Sequence, residues 1–316
     1  MSDEERSNSK DNGSASASAS ARSHIPTINY THTSSPSQSK SIFLKRLSTS
    51  VDEHDGSRIV LALDLPDLPN RALIERAHSM IDALAGYICS IKINMHLLLP
   101  LSMDDLRLIN DHAHSYGLQS IADIKLNDIP STNKVAIEDL ADYKFDALTI
   151  NPIIGPDALR DAIHDAHGRG MGAIALVYMS HKGAENSYGM RIKIVHGEQQ
   201  EDEVQLQMHK HHQYSSSSSS SYTSLYRVFL EWALASNADG IVVGATRPEI
   251  IRECRAYVDA HGYDTAIFSP GSGAQGGDPS VALSNGADYI IVGRSIIDAD
   301  DPVREASRLA RISLRV

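Results

Sequence analysis

Cysteine is nearly missing from this chain: Cys89 and Cys254 are the two present in 316 residues, each inside a stretch expected to be regular structure. Two such thiols make no disulfide framework, and a reducing cytoplasm is the expected compartment. Long hydrophobic runs are missing too. No apolar segment reaches the length of a membrane span and the N-terminus carries no apolar signal core, so no membrane partner is expected. Positive charge is scarce as well, with 29 Lys and Arg against 40 Asp and Glu, a net charge of -11 and a pI near 5.7. That balance argues against nucleic acid as a partner, since a broad basic face would be needed. An anionic small molecule remains compatible, because a local cationic pocket can exist on an acidic protein.

What is present is an ordinary soluble composition, 41% hydrophobic and 22% charged, on a chain long enough for one large α/β domain. Residues 1–38 are rich in Ser, Ala and Asn, with SASASASA at their centre, and are expected to form a disordered tail that cannot bury enough apolar area to fold. In SIFLKRLSTS, from Ser41, the apolar spacing predicts a short helix closing the bottom of the fold. Residues 39–316 are expected to form the catalytic domain. From Arg58 onward, Val- and Ile-rich runs alternate with helical stretches: RIVLALD, YICSIKIN, LQSIADIK, DALTIN, MGAIALVYM, GIVVGA, TAIFSP and DYIIVGR. Strands without polar alternation belong to a parallel sheet covered on its outer face, and eight strand–helix units predict an α/β fold of the closed (β/α)8 TIM-barrel type. One segment breaks the rhythm. Residues 196–224, after the fifth strand, contain EQQEDE, HKHHQ and a seven-serine run, a low-complexity insertion expected to be an exposed loop on the active-site rim. His209, His211 and His212 lack further strong ligands beside them, so no metal site is expected there.

The chemistry concentrates at strand ends, where barrels of this kind carry their sites. IADIKLNDIPSTNK, Ile121–Lys134, places Asp123 and Lys125 two apart on a strand and Asp128 in the turn before a helix. Asp64 ends the first strand, Lys92 and Asn94 the second, Ser180 the fifth. Lys92, Asp123, Lys125 and Asp128 alternate in sign, so each charge can be paired while the group faces an anionic substrate. The second half supplies a phosphate grip: SPGSGAQGGDP follows the seventh strand and VGRS the eighth, where glycine backbones approach an anion and Arg294 makes a bidentate contact.

Together, ALD with Asp64, SIKIN with Lys92, ADIKLNDIPST, YMSHKGAE, SPGSGAQGGDP and VGRS resemble the orotidine 5′-phosphate decarboxylases, in the archaeal-type form with a short phosphate loop, over roughly Arg58 to Ser313. The resemblance implies decarboxylation of orotidine 5′-phosphate to uridine 5′-phosphate in pyrimidine biosynthesis, with no cofactor and no metal. It implies that Lys125 protonates C6 of a vinyl carbanion and that Asp123 lies against the departing carboxylate. Lys92 and Asp128 complete the charge network, and Lys92 and Asp64 meet the ribose hydroxyls. Ser180 reads the pyrimidine edge and touches Gln275, while Gln275, Gly293 and Arg294 hold the phosphate. The family's homodimer is implied too, with Asp128 and Thr132 reaching the neighbouring site.

Two rival readings share part of this pattern. Magnesium-dependent sugar-phosphate lyases of the same superfamily resemble the chain in D-x-K-x-x-D and in the phosphate grip, but they place a Glu where this chain has Lys92, and a lysine there repels a divalent ion. A non-catalytic phosphate-binding barrel has no support from charged positions that are all intact.

Overall fold

The computed structural model describes residues 27–29, 41–66, 68–195, 220–273 and 275–314. In chain order, β1 (Thr27–Asn29) and α1 (Ile42–Glu53) precede the first units, β2 (Ile59–Ala62) with α2 (Asn70–Leu84) and β3 (Ser90–Asn94) with α3 (Met95–Leu98) and α4 (Met103–Ser115). Next come β4 (Gln119–Leu126), α5 (Pro130–Asp142), β5 (Ala147–Ile150), α6 (Pro156–Gly168) and β6 (Gly172–Tyr178). A hairpin, β7 (Arg191–Val195) and β8 (Ser220–Ser224), leads into α7 (Leu225–Ala235). The last units are β9 (Gly240–Val243), α8 (Pro248–Ala260), β10 (Ala266–Pro270), α9 (Pro279–Ser284), β11 (Tyr289–Val292), α10 (Arg294–Ile297) and α11 (Pro302–Ser313).

Eight of these strands close a barrel in the order β10-β11-β2-β3-β4-β5-β6-β9, every pairing parallel. The expected (β/α)8 fold is the one observed. Strands β2, β5, β6 and β9 are buried along their whole length, as continuous apolar runs require when one face fills the barrel and the other meets helices. Helix starts follow local chemistry. Pro130, Pro156, Pro248, Pro279 and Pro302 occupy first turns, where no amide donor is needed, and Ser102 with Asp105 forms a reciprocal capping box on α4.

The floor of the barrel is built by two devices. Helix α1, predicted from the sequence, buries Phe43, Leu44 and Leu47, and a Cβ on Gly172 at the foot of β6 would come within 2.5 Å of Phe43 Cγ. A repeated aspartate also ties one strand foot to the next at two places. Asp146 accepts from the Ser120 N–H at 2.8 Å and from His114 at 2.7 Å; Asp239 accepts from the Ala173 N–H at 2.6 Å and from His167 at 2.8 Å. Both carboxylates are buried, so an unpaired charge there would be costly.

The insertion departs from its expected form. Its last five residues are not loop but β8, paired antiparallel with β7, and Ile192 and Ile194 alternate inward to pack with Val228, Leu225 and Trp232. Serine-rich composition hid a strand whose partner supplies the apolar side chains. Three residues of the expected tail, Thr27–Asn29, pair parallel with β7; its remaining residues, and the insertion from 196 to 219 with His209, His211 and His212, lie outside the described residues. Among the described residues, no helix is long and apolar enough to cross a membrane.

The hydrogen bond that His167 donates to Asp239 raises the His167 pKa, against an opposing effect of burial. A raised folded-state value gives stability that is complete below the ordinary His value of 6.5 and is lost as pH rises through the higher one. His167→Ala is therefore expected to lower the melting temperature clearly at pH 5.5 and much less at pH 9. Equal losses at both values would show that the ion pair contributes nothing beyond packing.

Candidate active site

At the opposite end of the barrel, a cavity of about 310 Å³ opens among the strand C-termini. It is lined by Asp64, Lys92, Asn94, Asp123, Lys125, Thr149, Ser180, His181, Gln275, Gly293 and Arg294, among others. One cavity thus gathers most of the residues that the sequence singled out.

Its centre is a carboxylate between two ammonium groups. Asp123 accepts from Lys92 Nζ at 2.7 Å through Oδ2 and from Lys125 Nζ at 2.8 Å through Oδ1. Thr149 Oγ1, at the end of β5, donates to Oδ1 at 2.9 Å and accepts from the Lys125 backbone N–H at 2.9 Å. The side chains of Lys92 and Asp123 are only 7% and 13% exposed, so water screens their attraction little. Burial works against the Asp123 charge, yet the nearby Lys92 and Lys125 ammoniums and their hydrogen bonds outweigh it and hold the carboxyl well below the usual carboxylate range.

Lys125 does not reach this position by simple strand alternation. Its φ is +49°, in the left-handed region, and the β4–β5 register shifts between Ala122 and Leu126. A non-glycine residue in that conformation costs about 1–3 kcal/mol and persists where its surroundings enforce it. Thr149 is part of that enforcement, because it holds both the Lys125 amide and the carboxylate that Lys125 pairs with.

Asp64 and Lys92 are joined through Asn94, whose amide donates to Asp64 Oδ1 and accepts from Lys92 Nζ. Across the cavity, the loop after β10 folds back on itself: Gly273 N–H donates to Gly277 O at 2.8 Å and Gly276 N–H to Gly273 O at 2.8 Å. Gly271 has a φ of +94°, and a Cβ there would lie 2.6 Å from Ser180 Cβ and 2.8 Å from Gln275 Oε1. Ser180 and Gln275 therefore both crowd a position that only glycine can occupy. Arg294 begins α10 directly after Gly293, whose Cα packs against the Asp64 carboxylate.

Asp128 and Thr132, expected to reach a neighbouring site, lie outside this cavity. Asp128 and Thr132 line a separate depression on the outer face with Met95, Leu98 and Lys125, so three of the four alternating charges, not all four, converge within one chain. The reason is local. After Leu126 the chain turns outward, Asn133 Oδ1 accepts from the Asp128 N–H at 3.1 Å, and Asp128 Oδ1 accepts from the Ile129 N–H at 2.7 Å. Conversely, Thr149, His181, Ser272 and Ser295 line the cavity without having been singled out. Thr149 lies near the end of β5, as Lys92, Asp123 and Lys125 lie near the ends of theirs, but a threonine there looks like an ordinary strand former. Among the described residues, no cluster of three His, Cys, Asp or Glu side chains could hold a metal ion.

Fold and site together define a (β/α)8 barrel with a lysine–aspartate–lysine centre at the C-terminal ends of its strands. The sequence profile of the orotidine 5′-phosphate decarboxylase / HUMPS family matches residues 57–309, and the chain belongs to that family. The orotidine 5′-phosphate decarboxylase of Pyrococcus abyssi is 32% identical over 251 residues, 79% of this chain and 95% of that one. The crystal structure of the enzyme of the same name from Pyrococcus horikoshii superposes with a TM-score of 0.59 at 28% identity, over 82% of this chain and all of that one. That of the Methanocaldococcus jannaschii enzyme, complexed with inhibitor BMP, gives 0.60 at 23% identity, over 81% and 98% of the two chains, and supports the fold.

Asp123→Ala would leave the buried Lys92 beside Lys125 with no counter-charge. The expected loss in chemical denaturation is about 3–5 kcal/mol at neutral pH. Because the folded-state carboxyl value is lowered, the wild-type contribution is complete above 3.8 and fades only as pH falls below it, so the gap between wild type and variant should hold from pH 5 to 8. A loss under about 1 kcal/mol would mean that the pairing is not what holds these strand ends together.

Proposed function

We propose that this chain decarboxylates orotidine 5′-phosphate to uridine 5′-phosphate without a cofactor, as a step in pyrimidine nucleotide synthesis. The observation that carries the reading is the Asp123 carboxylate fixed between the Lys92 and Lys125 ammoniums in a cavity that also contains Arg294. Arg294, Gln275 and the glycine loop grip the phosphate, Asp64 and Lys92 meet the ribose hydroxyls, and Ser180 reads the pyrimidine edge. This places C6 and its carboxylate over Asp123 and Lys125. The C6–carboxylate bond breaks, its electron pair stays on C6 and carbon dioxide leaves. The Lys125 ammonium stabilises the carbanion as it forms and then transfers its proton to C6. A cation fixed where charge develops needs no reorganisation at the moment of reaction, and phosphate binding energy holds the ring in register. Asp123, facing the departing carboxylate, adds repulsion that the product no longer feels.

The magnesium-dependent lyase reading is weaker, because Lys92 Nζ lies between Asn94 and Asp123, where a divalent ion would have to sit. A non-catalytic role leaves the strained Lys125 without purpose. The functional unit in this reading is a homodimer. Asp128 and Thr132 line an outer depression next to exposed Met95, Ile129 and Val135, an apolar face suited to a second copy that would carry both residues to the neighbouring cavity. The free, buried thiols of Cys89 and Cys254 suit the reducing cytoplasm.

An absorbance assay should show turnover of orotidine 5′-phosphate, undiminished in excess EDTA; loss on chelation would favour the lyase. Lys125→Ala should lower kcat by at least about 10⁴-fold while uridine 5′-phosphate still binds, and a near-normal rate would remove Lys125 as the proton donor. Sharing of sites is tested by mixing. Lys125→Ala and Asp128→Ala subunits, each nearly inactive, should recover about a quarter of wild-type activity when co-refolded, because each mixed dimer holds one intact site. No recovery would place Asp128 outside the neighbouring site.

A further inference from the structure

Asn94 lies between the two ends of the cavity and belongs to neither. It ends β3, two residues beyond Lys92 and paired in register with Asp123. Its amide is the one link between Asp64 and Lys92 among the described bonds, donating to the first and accepting from the second. Few side chains of this size can do both at once: a carboxamide carries a donor and an acceptor on one planar group, whereas an aspartate would face Asp64 with a like charge and an alanine would leave both partners unheld.

A second, independent observation concerns what Asn94 gives up. It occupies the N-cap position of α3 with extended backbone, φ -83° and ψ 166°, yet its side chain makes no capping bond. Asparagine is among the best capping residues, and its amide is turned into the cavity instead. There it stands where the sugar of a 5′-nucleotide must lie. On one side Asp64 packs against Gly293 at the Arg294 turn, and on the other Lys92 pairs with Asp123. Two of the three Lys92 ammonium protons are committed, to Asn94 and Asp123, which leaves one for a ligand oxygen.

We propose that Asn94 is a positioning residue that sets Asp64 and Lys92 for the sugar hydroxyls and thereby makes the pocket select ribonucleotides over deoxyribonucleotides. A hydroxyl donates to a carboxylate and accepts from an ammonium, the same two partners that the amide holds at a fixed separation. Without Asn94 both side chains gain rotamer freedom, and the hydroxyl no longer meets a preset pair. The inference rests on the nucleotide reading above.

Calorimetric titration of the full-length protein with uridine 5′-phosphate and with its 2′-deoxy and 3′-deoxy analogues tests it apart from turnover. Wild type is expected to prefer the ribonucleotide over at least one analogue by tenfold or more, the direction expected when a site built for a hydroxyl meets a ligand without one. In Asn94→Ala that preference should fall to roughly threefold or less, with the affinity for the analogue itself little changed. If the alanine variant melts far below wild type, Asn94→Asp, of the same size, removes the donor to Asp64 and should show the same collapse. Retained preference in the folded variants, or equal weakening of all three ligands, would overturn the role of Asn94 while leaving the nucleotide site intact. If wild type bound none of the three, the nucleotide reading would fall and the inference with it.

Discussion

A carboxylate wedged between two ammonium groups, mostly shielded from water, sets the terms for the rest of the molecule. Burying Lys92 and Asp123 is unfavourable unless each keeps its partner at hydrogen-bond distance, and that distance is maintained by two adjacent strands whose register fixes Lys92 against Ile121 and Asn94 against Asp123. A loop could bring the same three side chains together, but it would not hold them. The parallel ladder does, because sliding either strand would break several backbone bonds at once.

The barrel separates the work of its two ends. At the floor, Asp146 and Asp239 clamp neighbouring strands and α1 seals the core with Phe43 and Leu47. At the rim, Lys125 sits in a left-handed conformation beside a register shift, and the glycine turn at Gly271 packs closely on Ser180. Strain of about 1–3 kcal/mol at one lysine is tolerable only because the far end is packed and paired so well. Conservation of geometry at the top therefore depends on chemistry at the bottom that never meets a ligand.

The fold was legible because its signals were local and redundant. RIVLALD, SIKIN and GIVVGA can hardly be anything but buried strands, and five prolines mark helix starts. The site was legible at its charges, since Lys92, Asp123, Lys125 and Arg294 stand at strand ends where a core has no use for them. Polar residues with a commoner explanation were harder to see. Thr149 passes for a strand former, and only coordinates show that it turns inward to Asp123. The hairpin was hidden for a different reason: in β8 the serines contribute backbone pairing while Ile192 and Ile194 of β7 provide the burial. Period two, the argument that joined Asp123 to Lys125, identified the right pair although a bulge, not alternation, brings them together.

The charge balance of the cavity bears on how an anion is received. Lys92, Lys125 and Arg294 against Asp64 and Asp123 leave one excess positive charge on a protein whose total is -11. At physiological ionic strength exposed charges beyond about 8 Å are largely screened, so an arriving anion responds to this local excess more than to the whole. Because Lys92 and Lys125 are already engaged by Asp123, a phosphate is received best at Arg294, and that asymmetry orients a nucleotide before any atom of its ring is touched.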